Sequence, residues 1–145
     1  MSGLAFILYL QIREEIKIMA IMTEEFLDVL RDKGPATIVS INGKPASVVN
    51  TWSQYINVVA DDTILIPAAG MHSIQNDLKA DPEHALTIAV GSYNYPGTTG
   101  MGRGYHIHGS GKFITEGTYF DQMKAQFEWI RAVLVVKISD IEQKI

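Results

Sequence analysis

Apolar positions along the chain follow two periods. Phe26, Leu27, Val29 and Leu30 fall at helical spacing behind Thr23, a good capping residue, with Glu24 and Glu25 where a helix dipole favours acid. Lys33-Gly34-Pro35 ends that helix. From Ala36 to Ile41 the pattern changes to a β-branched strand, and Asn42-Gly43 is a strong hairpin signal. A long return strand is expected from about Pro45 to Val59, and Asp61-Asp62 turns the chain into Thr63 to Pro67. After a loop of small residues, Ala68 to Met71, the spacing predicts a short helix from His72 to Lys79, broken by Asp81-Pro82. Ala85 to Gly91 reads as a strand, Tyr93 to Gly104 as a Gly-rich loop, and Tyr105 to Thr115 as a strand. A helix over Tyr119 to Ile130 and a last strand over Ala132 to Ser139 complete the pattern. The fold class expected is mainly β with short α-helices: about six antiparallel strands closed into a barrel, since closure removes exposed edges.

Composition narrows the chemistry. The 145 residues suffice for one domain with a real core. A net charge of −4 argues against nucleic-acid binding, which needs a basic face. No cysteine is present, so disulfides, thiolate metal sites and cysteine nucleophiles are excluded, and redox activity would need a bound cofactor. Residues 1–21 read as an extension of uncertain status and 22–145 as the domain. Leu4 to Leu10 is an unbroken apolar run, too short to span a bilayer and without the basic leader of a secretory signal. It is either an accessory segment, with Met19 and Met22 as alternative starts, or an arm packed on the barrel or on a second copy. No membrane association and a cytoplasmic location are expected.

The most unusual stretch is Val49-Asn50-Thr51-Trp52-Ser53-Gln54-Tyr55, a polar cluster around two large aromatics. It is either a strand lining a planar-ligand pocket or a half-exposed strand with aromatic anchors. Trp52 and Tyr55 are three apart, so a straight strand points them to opposite faces. Pro67-Ala68-Ala69-Gly70-Met71-His72-Ser73 leads into a helix whose free N–H groups suit a phosphate, or it is simply an ordinary helix start. Gly100-Met101-Gly102-Arg103-Gly104 precedes a strand and lacks the ending of a phosphate loop, so a flap or a subunit contact is the better reading. His106 and His108 share a face of one strand, but no third ligand stands nearby in the sequence, and no metal site is expected. Trp129 is either an anchor or an aromatic wall. No Gly-x-Ser-x-Gly elbow or paired acids support hydrolysis.

Taken in order, Val49-Asn50-Thr51-Trp52 with Tyr55, Gly70-Met71-His72, Gly91-Ser92, Gly109-Ser110 with Phe113, and Phe127-Glu128-Trp129 with Arg131 carry a resemblance from about Met22 to Ile145. Over that span the chain resembles the FMN-binding split-barrel family related to pyridoxamine 5'-phosphate oxidase, its small FMN-binding members above all. The resemblance implies a six-stranded antiparallel split β-barrel, homodimeric, with non-covalent FMN at the subunit interface. It implies that Asn50, Thr51 and Trp52 lie along the flavin and that Tyr55 flanks the ring, which needs a bend near Ser53. Pro67, Ala68, Ala69, Gly70, Met71, His72 and Ser73 would cradle ring edge and phosphate, and Trp129 and Ile145 would come from the partner subunit.

One departure is visible. The family carries a Lys and a Thr after its Met-His pair, where this chain has Ser73 and Ile74. Phosphate binding would then lean on backbone N–H groups, His72, or a base such as Arg103 or Lys44. The Arg- and Lys-bearing motifs of true pyridoxamine phosphate oxidases are not evident, so vitamin B6 oxidation is not expected. The function implied is a redox flavoprotein, either an electron carrier or a flavin-reductase-like enzyme with unknown redox partner. The alternatives are a non-catalytic FMN-binding or storage module and a structural dimer without ligand.

Overall fold

The structure, a computed structural model, describes residues 2–19 and 21–145, with the side chains of its first helix described as far as Arg13. The elements run α1 (Gly3–Met19), α2 (Glu24–Arg31), β1 (Pro35–Ser40), β2 (Ser47–Trp52), a 3-10 turn (Ser53–Tyr55), β3 (Asn57–Ala60), β4 (Thr63–Ala68), α3 (His72–Ala80), β5 (Ala85–Pro96), β6 (Met101–Ile114), α4 (Thr118–Gln126) and β7 (Ala132–Gln143). All strands pair antiparallel in one seven-stranded sheet ordered β2-β1-β5-β6-β7-β4-β3. The expected count was six. The seventh arises because the long return strand is two strands, β2 and β3, separated by the 3-10 turn. These two halves form the opposite ends of the sheet order, so the sheet curls until its ends are linked by four residues of chain, 53–56.

The break between β2 and β3 has a physical cause. Ser53 is fully buried, its N–H donates to the Gly34 carbonyl at 2.8 Å, and its hydroxyl donates to the Asp32 carbonyl at 2.6 Å. The end of α2 therefore takes the bonds that a continuing strand would have given a neighbour. Elsewhere the expectations move by a few residues. The hairpin after β1 closes through six residues, 41–46, rather than a two-residue turn. β5 and β6 continue to Pro96 and from Met101, so most of the expected Gly-rich loop is paired strand.

The core lies inside the curl. Ile38, Ile88, Ile107 and Val136 point inward with Phe26, Val29 and Leu30 of α2 and Ile74 and Leu78 of α3. α4 covers the other side of β4 and β7, where Leu65, Met123, Ile130 and Val133 make a second cluster. β4 is thus buried on both faces, which explains its uninterrupted apolar run. α1 is different: Leu4, Phe6, Ile7, Leu8 and Leu10 stand exposed, so the apolar run does not pack on its own barrel. No helix of the described residues is long and apolar enough to cross a membrane.

Tyr105 packs edge-on against Phe26, with ring centroids 5.3 Å apart. Its hydroxyl is buried without a protein partner among the described residues, and burial pushes its pKa up. Tyr105→Phe keeps the ring and removes that hydroxyl. Thermal melts are expected to show unchanged stability or a gain of up to about 1 kcal/mol.

Candidate functional site

β2 carries its chemistry on alternate residues. Val48, Asn50 and Trp52 face outward and exposed, while Val49 and Thr51 are half-buried. Pairing with β1 sets Asn50 opposite Thr37, whose hydroxyl donates to Asn50 Oδ1 at 2.7 Å. The Asn50 side-chain amide is left as a fixed donor beside Trp52, whose indole is 52 % exposed. An indole so exposed on a rigid strand is a stacking surface, and among the described residues no protein ring stacks on it.

The 3-10 turn resolves the parity difficulty. Beyond Ser53 the chain no longer alternates, and Tyr55 emerges half-buried beside an aromatic group from the far end of the sequence. Its ring centroid lies 5.2 Å from Phe127 and 5.9 Å from Trp129. Phe127 and Trp129 are not on a helix, as expected, but in the turn after α4. Past the helix end, Lys124 Nζ donates to the carbonyls of Glu128 at 2.5 Å and Ile130 at 3.2 Å, which braces the turn that follows. Gln126 then donates to Asn57 Oδ1 at 3.0 Å, and Asn57 donates to the Tyr55 carbonyl at 3.2 Å, tying this turn to Tyr55.

Arg131, two residues after Trp129, holds the loop before α3. Its backbone N–H donates to Ala68 O at 2.8 Å, and its guanidinium donates to Ala69 O at 3.3 Å, Gly70 O at 2.8 Å and Gln75 Oε1 at 2.9 Å. Pro67 and Ala68 belong to β4 and are buried, so they face a ligand at most with backbone atoms; the free loop is Ala69 to Met71. Met71 takes a left-handed conformation and starts α3 without a side-chain cap. The N–H groups of His72, Ser73 and Ile74 therefore lie at the first turn of α3, with the His72 and Ser73 side chains exposed.

The other proposed cations are placed elsewhere. Arg103 is committed to Pro96 O at 3.0 Å, Glu25 O at 3.1 Å and the Asp28 carboxylate at 3.7 Å, and lies over the Tyr95 ring. It fastens α2 to the β5–β6 hairpin and is not a spare charge. Lys44 sits in the β1–β2 loop, beyond the Ser47 end of a strand about 17 Å long whose other end is Trp52. Ser92 is engaged as well. It donates to the Asp32 carboxylate, as does Asn94 at 2.8 Å, and these bonds hold that carboxyl below its ordinary range.

Ile145 is not brought to β2 in its own chain. Its backbone pairs with Gly104, and Gly104 lies opposite Gly91 on β5. By register that is four strand spacings from Trp52, about 19 Å along the sheet. Asn50 to Tyr55, the Ala69–Ser73 loop and Trp129 thus belong to one fold end, with Phe127 and Arg131 as supports that spacing alone did not identify. Both lie within the Phe127–Arg131 segment, but their roles depend on partners more than fifty residues earlier.

Comparison with known proteins bears on the family and the fold. Residues 22–144 match the pyridoxamine 5'-phosphate oxidase family. An FMN-binding protein of Nitratidesulfovibrio vulgaris (strain Miyazaki F) is 34% identical over 118 residues, 81% of this chain and 94% of that protein. Among solved structures, HupZ of Group A Streptococcus superposes with a TM-score of 0.68 at 16% identity, over 84% of this chain and 93% of that one. An FMN-binding protein from Syntrophomonas wolfei does so with a TM-score of 0.58 at 19% identity, over 94% and 96%. These two likenesses concern the fold.

Proposed function

Because the chain belongs to the pyridoxamine 5'-phosphate oxidase family, we propose that it binds one FMN per subunit, non-covalently, and serves as a homodimeric redox flavoprotein. The observation that carries this reading is an exposed Trp52 beside a fixed Asn50 donor, together with a loop pinned by Arg131 at the start of α3. The residues fit the group. Trp52 offers a flat face, the Asn50 amide an in-plane donor, the Ala69–Met71 loop close backbone approach, and the first N–H groups of α3 a seat for a dianion. With Lys and Thr replaced by Ser73 and Ile74, the phosphate is held by those N–H groups, the Ser73 hydroxyl and His72.

When bound, FMN supplies one- or two-electron transfer; the protein supplies position and surroundings. Trp52 and the Tyr55 group exclude water from the ring, and the Asn50 donor, locked by Thr37, biases charge at the ring edge. The location of Ile145, remote from its own Trp52, favours its donation to the partner's site. The half-exposed Trp129 ring, beside Tyr55 of its own chain, supports the reading that it also reaches a second copy's pocket across a two-fold axis.

Freshly purified protein is expected to be yellow, with acid-released FMN near one per chain. Trp52→Ala is expected to lower FMN affinity about tenfold, corresponding to an aromatic contact of about 0.5–1.5 kcal/mol. A colourless protein that takes up no FMN on titration overturns the assignment. Reduction by NADH or NADPH followed by transfer to an acceptor supports a carrier or reductase; tight binding without turnover supports storage.

A further inference from the structure

The outer face of β6 and β7 gathers a second set of chemically active side chains, far in register from the β2 and α3 features. β7 begins with Leu134, Val136 and Ile138 facing inward. Simple alternation would send Asp140 and Glu142 into the core as well. They do not go there, because the β6–β7 register shifts by one residue: Gly109 pairs with Ile138, but His108 pairs with Asp140. Ser139 is the extra residue, and its hydroxyl donates to the His108 carbonyl at 3.0 Å. Gly109 permits the bulge, since a Cβ there would run into the backbone of Lys137 and Ile138. After the bulge Ile141 faces the core, and Asp140 and Glu142 face outward directly across from His108 and His106. A bulge that re-aims side chains in this way commonly marks a functional position.

The side chains then meet. His108 Nε2 lies 3.3 Å from Glu142 Oε1. One ligand atom each from His108, Asp140 and Glu142 falls within a 4.8 Å span. Around a tetrahedral zinc with bonds of about 2.0–2.1 Å, ligand atoms stand roughly 3.3–3.5 Å apart. On the other side of the ring, His108 Nδ1 lies 3.2 Å from the Thr87 hydroxyl, reached across the β5–β6 pair. That contact turns Nε2 toward the two carboxylates, the outer-sphere arrangement that orients metal-binding histidines. Lys144 occupies only Glu142 Oε2, at 2.7 Å, leaving Oε1 available. Asp140 and Glu142 are exposed and His108 is half-buried, so solvent and ions reach the group.

The geometry points to a binding site for one divalent transition-metal ion of the zinc type, held by His108 Nε2, Asp140 and Glu142, with Thr87 as positioning residue and water in the remaining coordination position. The mixed nitrogen and carboxylate set suits a borderline ion rather than calcium or magnesium. The site does not depend on the flavin reading, because none of its residues touches the β2 or α3 features.

Isothermal titration of the full chain with zinc chloride tests it. Wild type is expected to take up one zinc per chain, and His108→Ala and Asp140→Asn each to lose affinity by about 100-fold. Thr87→Val is expected to lose about tenfold, as other outer-sphere partners do. Far-UV circular dichroism and FMN uptake should be unchanged in all three variants, which separates loss of the site from loss of the fold. Absence of zinc uptake by wild type, or variants that titrate like wild type, overturns the proposal.

Discussion

Phe26→Ala is expected to destabilise the protein by about 3–5 kcal/mol, as truncation of a fully packed aromatic does. Phe26 is 1 % exposed and sits where α2 enters the curl of the sheet. It meets Tyr105 of β6 edge-on, and that contact adds roughly 0.5–1.5 kcal/mol to the area it buries. Collapse around the void is restricted, because α2 is anchored at both ends. The Thr23 hydroxyl caps it through Phe26 N–H at 3.2 Å, and the Asp32 and Gly34 carbonyls bond Ser53. Whole domains are stable by only about 5–15 kcal/mol, so the loss is a large fraction of the total. Urea denaturation followed by circular dichroism measures it. The exposed Val58→Ala, expected to stay within about 0.5 kcal/mol, serves as comparison. A Phe26→Ala protein as stable as that control contradicts the packing described.

Arg131→Met is expected to reduce FMN affinity by about 100-fold while the barrel remains folded. The guanidinium is the element that fixes Ala69 and Gly70, and its bond to Gln75 ties that loop to the first turns of α3. Hydrogen bonds to a charged group are each worth about 1.5–3 kcal/mol, and about 1.4 kcal/mol corresponds to tenfold in binding. Loss of two such bonds leaves the loop free to occupy arrangements that do not present its backbone to a phosphate. Methionine keeps the length and the apolar stem, so β7 still pairs with β4. FMN titration followed by quenching of flavin fluorescence checks this, with a melting curve as control for folding. Unchanged affinity would assign Arg131 a structural role without consequence for the pocket.

Much of the sheet was legible because alternation and turn residues are local signals. Ala36 to Ile41 and Ala85 to Gly91 needed only their own residues to read as strands. What failed was non-local. The Gly-rich stretch from Tyr93 to Gly104 reads as loop by composition, yet its ends pair, because Gly91 lies opposite Gly104 and Ser92 opposite Arg103 on the neighbouring strand. The helix expected to reach Ile130 ends at Gln126, and the turn after it, braced by the Lys124 side chain, holds no glycine or proline to mark it. The last strand, expected to end at Ser139, continues to Gln143: Ser139 is a bulge, and pairing resumes beyond it.

The site divided in the same way. Asn50, Thr51, Trp52, Tyr55 and the Pro67–Ser73 loop stood out by residue type, and the family resemblance added the bend near Ser53. The reason for that bend, Ser53 bonded to carbonyls some twenty residues earlier, is a property of the folded chain. So is the use of Arg131 as a strut. A lone arginine at the start of a strand carries no mark of its partners, and they lie about sixty residues away.

The joining of β2 and β3 by four residues, Ser53 and Ile56 of them buried, also bears on how the molecule avoids self-association. Every open sheet has two ragged margins that invite a strand from another molecule. Here both margins belong to one continuous piece of chain, so neither can be drawn away without the other, and the linkage between them is pinned inside by Ser53. The same serine that shapes the aromatic pocket thereby acts as a lock against runaway β-stacking.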